Sequence, residues 1–99
     1  MGLFSLTQEI AMDLGTANTV IIHNDKIVVD QPSVVALDKR SEKLEAIGFK
    51  AAQMRGKENP NIYTVRPLRD GVIADFHAAE LLIRGLIKMI PNKGHIFTP

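Results

Sequence analysis

The 99 residues are 45% hydrophobic and 23% charged, with a formal net charge of +1. That balance describes one soluble globular unit and excludes a disordered chain, a membrane-spanning one, or a field strong enough to recruit nucleic acid. The absence of cysteine removes disulfides, thiol catalysis and thiolate metal sites, and His23, His77 and His95 stand too far apart to suggest a histidine metal site.

Residues 1–9 crowd Leu3, Phe4 and Leu6 into the first six positions with no basic residue among them. Two readings stand: a frayed terminus or early first strand, or a short amphipathic foot on a membrane surface. Burying three such side chains contributes about 1.5–3 kcal/mol each. Ordering the segment costs about 1–2 kcal/mol per residue. One copy would bind marginally, whereas many copies in a filament could bind by avidity. No apolar run approaches the roughly 20 residues of a membrane span, and no cleavable signal is evident, so a cytoplasmic location is expected.

Residues 10–22 read as a β-hairpin. A short apolar run holds one carboxylate, Asp13; a tight turn follows through Gly15-Thr16-Ala17-Asn18; and a second run rich in β-branched residues resumes. The plain reading is an ordinary hairpin that uses Gly and Asn for backbone freedom. The functional reading is an anion site. Gly15 lets backbone approach a ligand closely, and successive N–H groups from Gly15 to Asn18 could line an anion-binding concavity. The Thr16 hydroxyl and Asn18 amide would supplement those donors. A lone acid among apolar neighbours is costly unless solvated or used, and Asp13 suits a cation travelling with a phosphate.

Asp13-Leu14-Gly15-Thr16-Ala17-Asn18-Thr19 resembles the first phosphate-binding loop of the actin/Hsp70/sugar-kinase superfamily. Its Thr-Ala-Asn-Thr form is similar to the bacterial actin homologues of the MreB family.

Further along, Asn24-Asp25 signals a turn, residues 26–30 a third strand, and residues 33–38 a fourth after the Pro32 break. The succession from residue 9 to 38 resembles the opening meander of an actin-type core. Residues 39–61 are dense in charge, with Leu44 and Ile47 patterned as a half-buried strand. Gly48 then interrupts, and a short helix over residues 50–55 ends at Gly56. Lys50, Arg55 and Lys57 read as a solvated face. Residues 62–68 return as a strand. The string Arg66-Pro67-Leu68-Arg69-Asp70-Gly71-Val72-Ile73-Ala74-Asp75-Phe76 is the second resemblance to the MreB family, with Gly71 at a turn, Val72 and Ile73 buried, and Asp75 an N-cap. The longest helix runs from Phe76 to Ile90. Its apolar stripe is Phe76, Ala79, Leu82, Ile83, Leu86, Ile87 and Ile90, with His77, Glu80, Arg84 and Lys88 on the outside.

The resemblance implies an α/β fold: the N-terminal part of an actin-like, ribonuclease H-like ATPase core, a mixed sheet with one long helix and a small inserted α+β subdomain. Residues 1–38 and 71–99 would belong to the core and residues 39–70 to the insertion. It also implies ATP and Mg²⁺ as cofactors, with Thr16, Ala17 and Asn18 on phosphate, Gly15 giving backbone access, and Asp13 near the metal. The implied parent is a slow ATPase that polymerises with itself and works with cell-wall elongation proteins to maintain rod shape. It would lie on the inner face of the cytoplasmic membrane through Leu3, Phe4 and Leu6. The stretch resembles only about the first third of such a protein, so no catalytic residue is expected within it. Two other classes remain open: a sugar-kinase-type enzyme of the same superfamily, and a stand-alone interaction module.

Overall fold

The computed structural model describes residues 3–5, 10–55 and 60–91. Leu6, the expected helix stop at Gly56, Lys57 and the run from Asn92 onward lie outside the described residues. Four strands form the first sheet in sequence order: β1 (Leu3–Ser5), β2 (Ile10–Leu14), β3 (Asn18–His23) and β4 (Lys26–Pro32), each antiparallel to the next. The backbone of Leu3 pairs with Asp13 and that of Phe4 with Met12, so the terminus contributes a first strand.

Period-two alternation fixes the faces of β2. Ile10, Met12 and Leu14 are buried, and Asp13 between them is exposed. Leu14 pairs with Thr19, which leaves Gly15, Thr16, Ala17 and Asn18 as the turn. At the other end, Asn24 and Asp25 hold φ of 50° and 65°. Such left-handed pairs make the two-residue loops that match strand twist.

The fourth predicted run does not extend this meander. The chain bends sharply after β4, where the Val34 N–H donates to the Pro32 carbonyl (2.9 Å). β5 (Val35–Asp38) then pairs on one side with β6 (Leu44–Ile47) and on the other with β7 (Ile62–Val65), forming a second antiparallel sheet. Val35, Ala36 and Leu37 are each at most 2% exposed. A strand buried on both faces needs neighbours on both edges, and the meander offers it none. Between β5 and β6, Asp38 Oδ1 accepts from the N–H groups of Arg40 (2.8 Å) and Ser41 (3.0 Å). The Ser41 bond, then that of Arg40, holds its carboxyl below the usual carboxylate range.

α1 (Gly48–Met54) starts earlier than its helix formers suggest. Gly48, at φ +64°, donates its N–H to Val34, while the next N–H, of Phe49, goes to Gln31 Oε1 (2.9 Å). A Cβ on Gly48 would run into that Gln31 side chain. The joint therefore needs glycine both for its backbone angle and for the space.

The expected strand over residues 62–68 breaks at Arg66-Pro67. The Pro67 carbonyl turns inward to accept from the N–H groups of Ala74 (2.7 Å) and Asp75 (3.2 Å), and proline has no N–H of its own to continue a ladder. Beyond it, β8 (Leu68–Arg69) and β9 (Val72–Ile73) form a ribbon turning at Asp70-Gly71, with φ of 53° and 77°. Val72 lies on the outer side of this ribbon at 65% exposure and Ile73 is half-buried, so the expected burial of that pair fails.

Asp75 caps α2 (Phe76–Lys88), its carboxylate accepting from the Ala78 N–H (3.0 Å). The helix meets the core with Ala78, Ala79, Leu82, Leu86 and, just beyond it, Ile90. Ile83 and Ile87 flank that line half-buried. Phe76 does not join the stripe: standing next to the cap, before the helix reaches the sheets, it is 77% exposed. His77, Glu80, Arg84 and Lys88 are exposed as read, and Arg84 pairs with Glu80 at 2.9 Å. Gly85 faces Ile47, whose side chain occupies the place a Cβ would take. No helix among the described residues is long and apolar enough to cross a membrane.

Candidate functional site

The turn of the first hairpin is held from a strand 18 residues away. Ser33, fully buried at the end of β4, reaches up to the turn in two ways: its hydroxyl donates to the Gly15 carbonyl (2.6 Å) and its N–H to the Ala17 carbonyl (2.8 Å). The single hydroxyl hydrogen is thereby committed. The 2.8 Å bond between Ser33 and the buried Thr19 hydroxyl must then run from Thr19 to Ser33. The result is a relay, Thr19 to Ser33 to Gly15, that leaves no described buried side-chain polar atom unpartnered.

This relay orients the backbone above it. The peptide bonds here are trans, so each C=O and the following N–H point in opposite directions. With the carbonyls of Gly15 and Ala17 drawn toward Ser33, the N–H groups of Thr16 and Asn18 are turned away from it. Glycine is required at position 15 by the turn itself, since a Cβ there would stand 2.5 Å from the Asn18 carbonyl oxygen. The missing side chain makes room first for the chain's own closure, and the close approach expected of a ligand is not what demands it.

Thr16 is partly exposed, and its hydroxyl accepts from the Gly71 N–H at 2.8 Å. The hydroxyl hydrogen stays available for donation. This bond joins the two family-like strings, 55 residues apart, at one point. Ala17 and Asn18 are exposed, and the Asn18 Nδ2 donates to Asp30 Oδ1 (3.1 Å).

Asp13 lies on the face of the sheet opposite the core. It stands in a cross-strand row with Val20 and Asp30: Asp13 pairs with Val20, and Val20 with Asp30. Among the described residues no group of three His, Cys, Asp or Glu side chains converges as a metal cage would. A hard cation held by one carboxylate, waters and phosphate oxygens needs no such cage. On the other side of Thr16 opens a cleft of about 570 Å³, to which Arg55, Arg66, Arg69 and Asp70 also contribute.

Sequence reasoning singled out the turn and Asp13 but passed over Ser33, reading it only as the first residue of the fourth run after the Pro32 break. One signal was available: a serine between Pro32 and four consecutive apolar residues is a polar group bound for burial, and such groups need partners.

The chain matches the family model described as MreB/Mbl protein over residues 7–99. It is 45% identical over 93 residues to the cell shape-determining protein Mbl of Bacillus subtilis, covering 93% of this chain and 28% of that protein. It is 40% identical over 94 residues to the cell shape-determining protein MreB of Escherichia coli K12, covering 90% and 26%. The crystal structure of MreB5 of Spiroplasma citri bound to AMPPNP superposes with a TM-score of 0.71 at 39% identity, over 77% of this chain and 23% of that one. The same protein bound to ADP gives a TM-score of 0.71 at 38% identity, over 78% and 24%. The chain thus spans about a quarter of the length of the relatives it matches.

Proposed function

The chain belongs to the MreB/Mbl family of actin-like, shape-determining proteins, and from that premise we propose that its first hairpin is the phosphate-gripping wall of a nucleotide cleft. One observation carries the reading. Ser33 draws two turn carbonyls downward, so the N–H groups that follow them are turned away from it, toward the side where a phosphate would sit. Thr16 and Asn18 give phosphate oxygens their backbone N–H groups, the Thr16 hydroxyl adds a donor, and Ala17 carries no side-chain bulk into the contact. MreB5 of Spiroplasma citri, similar over most of this chain, binds AMPPNP and ADP.

Asp13 is the residue that would hold Mg²⁺, through water, beside the phosphates; the ion would neutralise their charge. Residues 39–70 form the small upper wall of the cleft, leaning on β5. The whole protein is an ATP-dependent filament that directs cell-wall synthesis, with slow hydrolysis carried out by parts of the fold this chain does not span. Its contact with the inner face of the cytoplasmic membrane runs through Leu3, Phe4 and Leu6.

The test is an NMR titration of the chain with Mg-ATP. Charge-assisted bonds contribute about 1.5–3 kcal/mol each, and association removes several kcal/mol of their sum, so one cleft wall should bind in roughly the millimolar range. The amide signals of Thr16, Ala17, Asn18 and Gly71 should move together and saturate. Saturable movement elsewhere, with these four unmoved, would refute the placement.

A further inference from the structure

The cleft beside Thr16 gathers three arginines. Arg55 follows the end of α1, Arg66 lies in the break between β7 and β8, and Arg69 ends β8. All three line one concavity with Thr16 and Asp70. None makes a side-chain hydrogen bond or ion pair among the described residues. Arg84, by contrast, lies on the open face of α2 and is paired in a fork to Glu80.

Three arginines and one aspartate line this cleft in a chain whose net charge is only +1, and no described residue pairs with the three arginines. A concave wall focuses their field inward. Guanidinium matches phosphate oxygens with paired donors at fixed spacing.

We infer that the Arg55–Arg66–Arg69 cleft is a phosphate-binding site, distinct in its residues from the hairpin turn and meeting it at Thr16. Its ligand chemistry is a tetrahedral phosphate dianion. That dianion is either the distal phosphate of a nucleotide gripped by the hairpin or free orthophosphate. The first source rests on the function proposed above, and the second does not. The fork of Thr16 suits such a junction. Its Oγ1 is already engaged by the Gly71 N–H, and its hydrogen can be donated to whichever phosphate lies between the two sites.

The experiment follows two sets of NMR signals in the full 99-residue chain: the Nε–Hε groups of the cleft arginines and the amides of residues 15–18. Orthophosphate, Mg-ADP and Mg-ATP are added separately at low ionic strength. Orthophosphate should move the arginine set alone, Mg-ADP the hairpin set alone, and Mg-ATP both. Replacing Arg66→Gln together with Arg69→Gln should weaken Mg-ATP about tenfold and leave Mg-ADP within about twofold, while Arg84→Gln alters neither. If the double variant does not fold, as judged from the α2 amides, Arg69→Gln alone serves, since that side chain is exposed.

Movement of the arginines by orthophosphate but not by Mg-ATP assigns the site to the free ion. Arginines that move while the hairpin ignores every nucleotide sustain the cleft and refute the proposed function. Hairpin shifts with arginines silent to all three ligands do the reverse. The inference is overturned by that silence, by Arg84→Gln reproducing the double variant's loss, or by a glutamate-rich peptide saturating the arginines where phosphate does not.

Discussion

The hairpin turn has two sides built on opposite plans. Beneath it, Ser33 and Thr19 are wholly buried, their hydroxyls chained to the Gly15 carbonyl with no polar atom to spare. Above it, the side chains of Thr16, Ala17 and Asn18 face outward, and only two side-chain bonds are made there, from the Gly71 N–H to Thr16 and from Asn18 to Asp30. The closed side decides where the backbone points, and the open side supplies what a ligand would touch. A turn built from small residues gains its stiffness from partners that are distant in sequence, which fixes the direction of its N–H groups.

The sharpest way to break the contrast is Ser33→Val. It strands the Thr19 hydroxyl and the Gly15 carbonyl in a buried place, where each lost partner costs about 1–3 kcal/mol. Urea denaturation should register a loss of about 2–4 kcal/mol, and Thr19→Val added to it should restore part of that, because the second orphan disappears. A loss within experimental error would mean the relay carries no structural load. Gly15→Ala comes next: its new methyl would press on the Asn18 carbonyl from 2.5 Å. The turn must shift, at about 1–3 kcal/mol by the same measurement, with the Thr16 and Asn18 amide signals displaced.

On the open side, Thr16→Ala should change stability by no more than about 0.5 kcal/mol, since its bond to Gly71 is solvent-exposed, yet it should weaken Mg-ATP. A large stability loss there would erase the distinction between the two sides.

The smallest effect tests the same chemistry placed wholly in water. Asp38 accepts two backbone N–H bonds in an exposed turn, and its folded pKa lies below the unfolded 3.8. Its stabilisation is therefore present above pH 3.8 and drains away as pH falls through the lower, folded value. Asp38→Asn should flatten the acid limb of a stability–pH curve slightly in that window, with a correspondingly small loss of stability at neutral pH, where the carboxylate's contribution is fully present.

What was legible in the sequence is what neighbours decide. The hairpin, the Asn24-Asp25 turn, the Asp75 cap and the α2 stripe all follow from residues within a few positions of one another. The missed features are pairings across distance. Ser33 gives no local sign of reaching Gly15, 18 residues back. The double-sided burial of β5 shows only once β6 and β7 flank it. Arg55, Arg66 and Arg69 read separately as a solvated face or a return strand, and they become a cleft only when the second sheet folds. Val72 and Phe76 went wrong for a related reason: a periodic pattern marks which residues share a face but not how far along the element that face meets a core.

Gly85 carries a consequence of its own. In the middle of a helix, glycine costs about 1 kcal/mol relative to alanine, and the ordinary remedy is to add the methyl. Here Ile47 of β6 already stands where that methyl would go, so the distance between helix and second sheet is set by an atom that is absent. The position works as a gauge: a methyl there must first displace the end of the Ile47 side chain, the atom through which α2 and β6 meet.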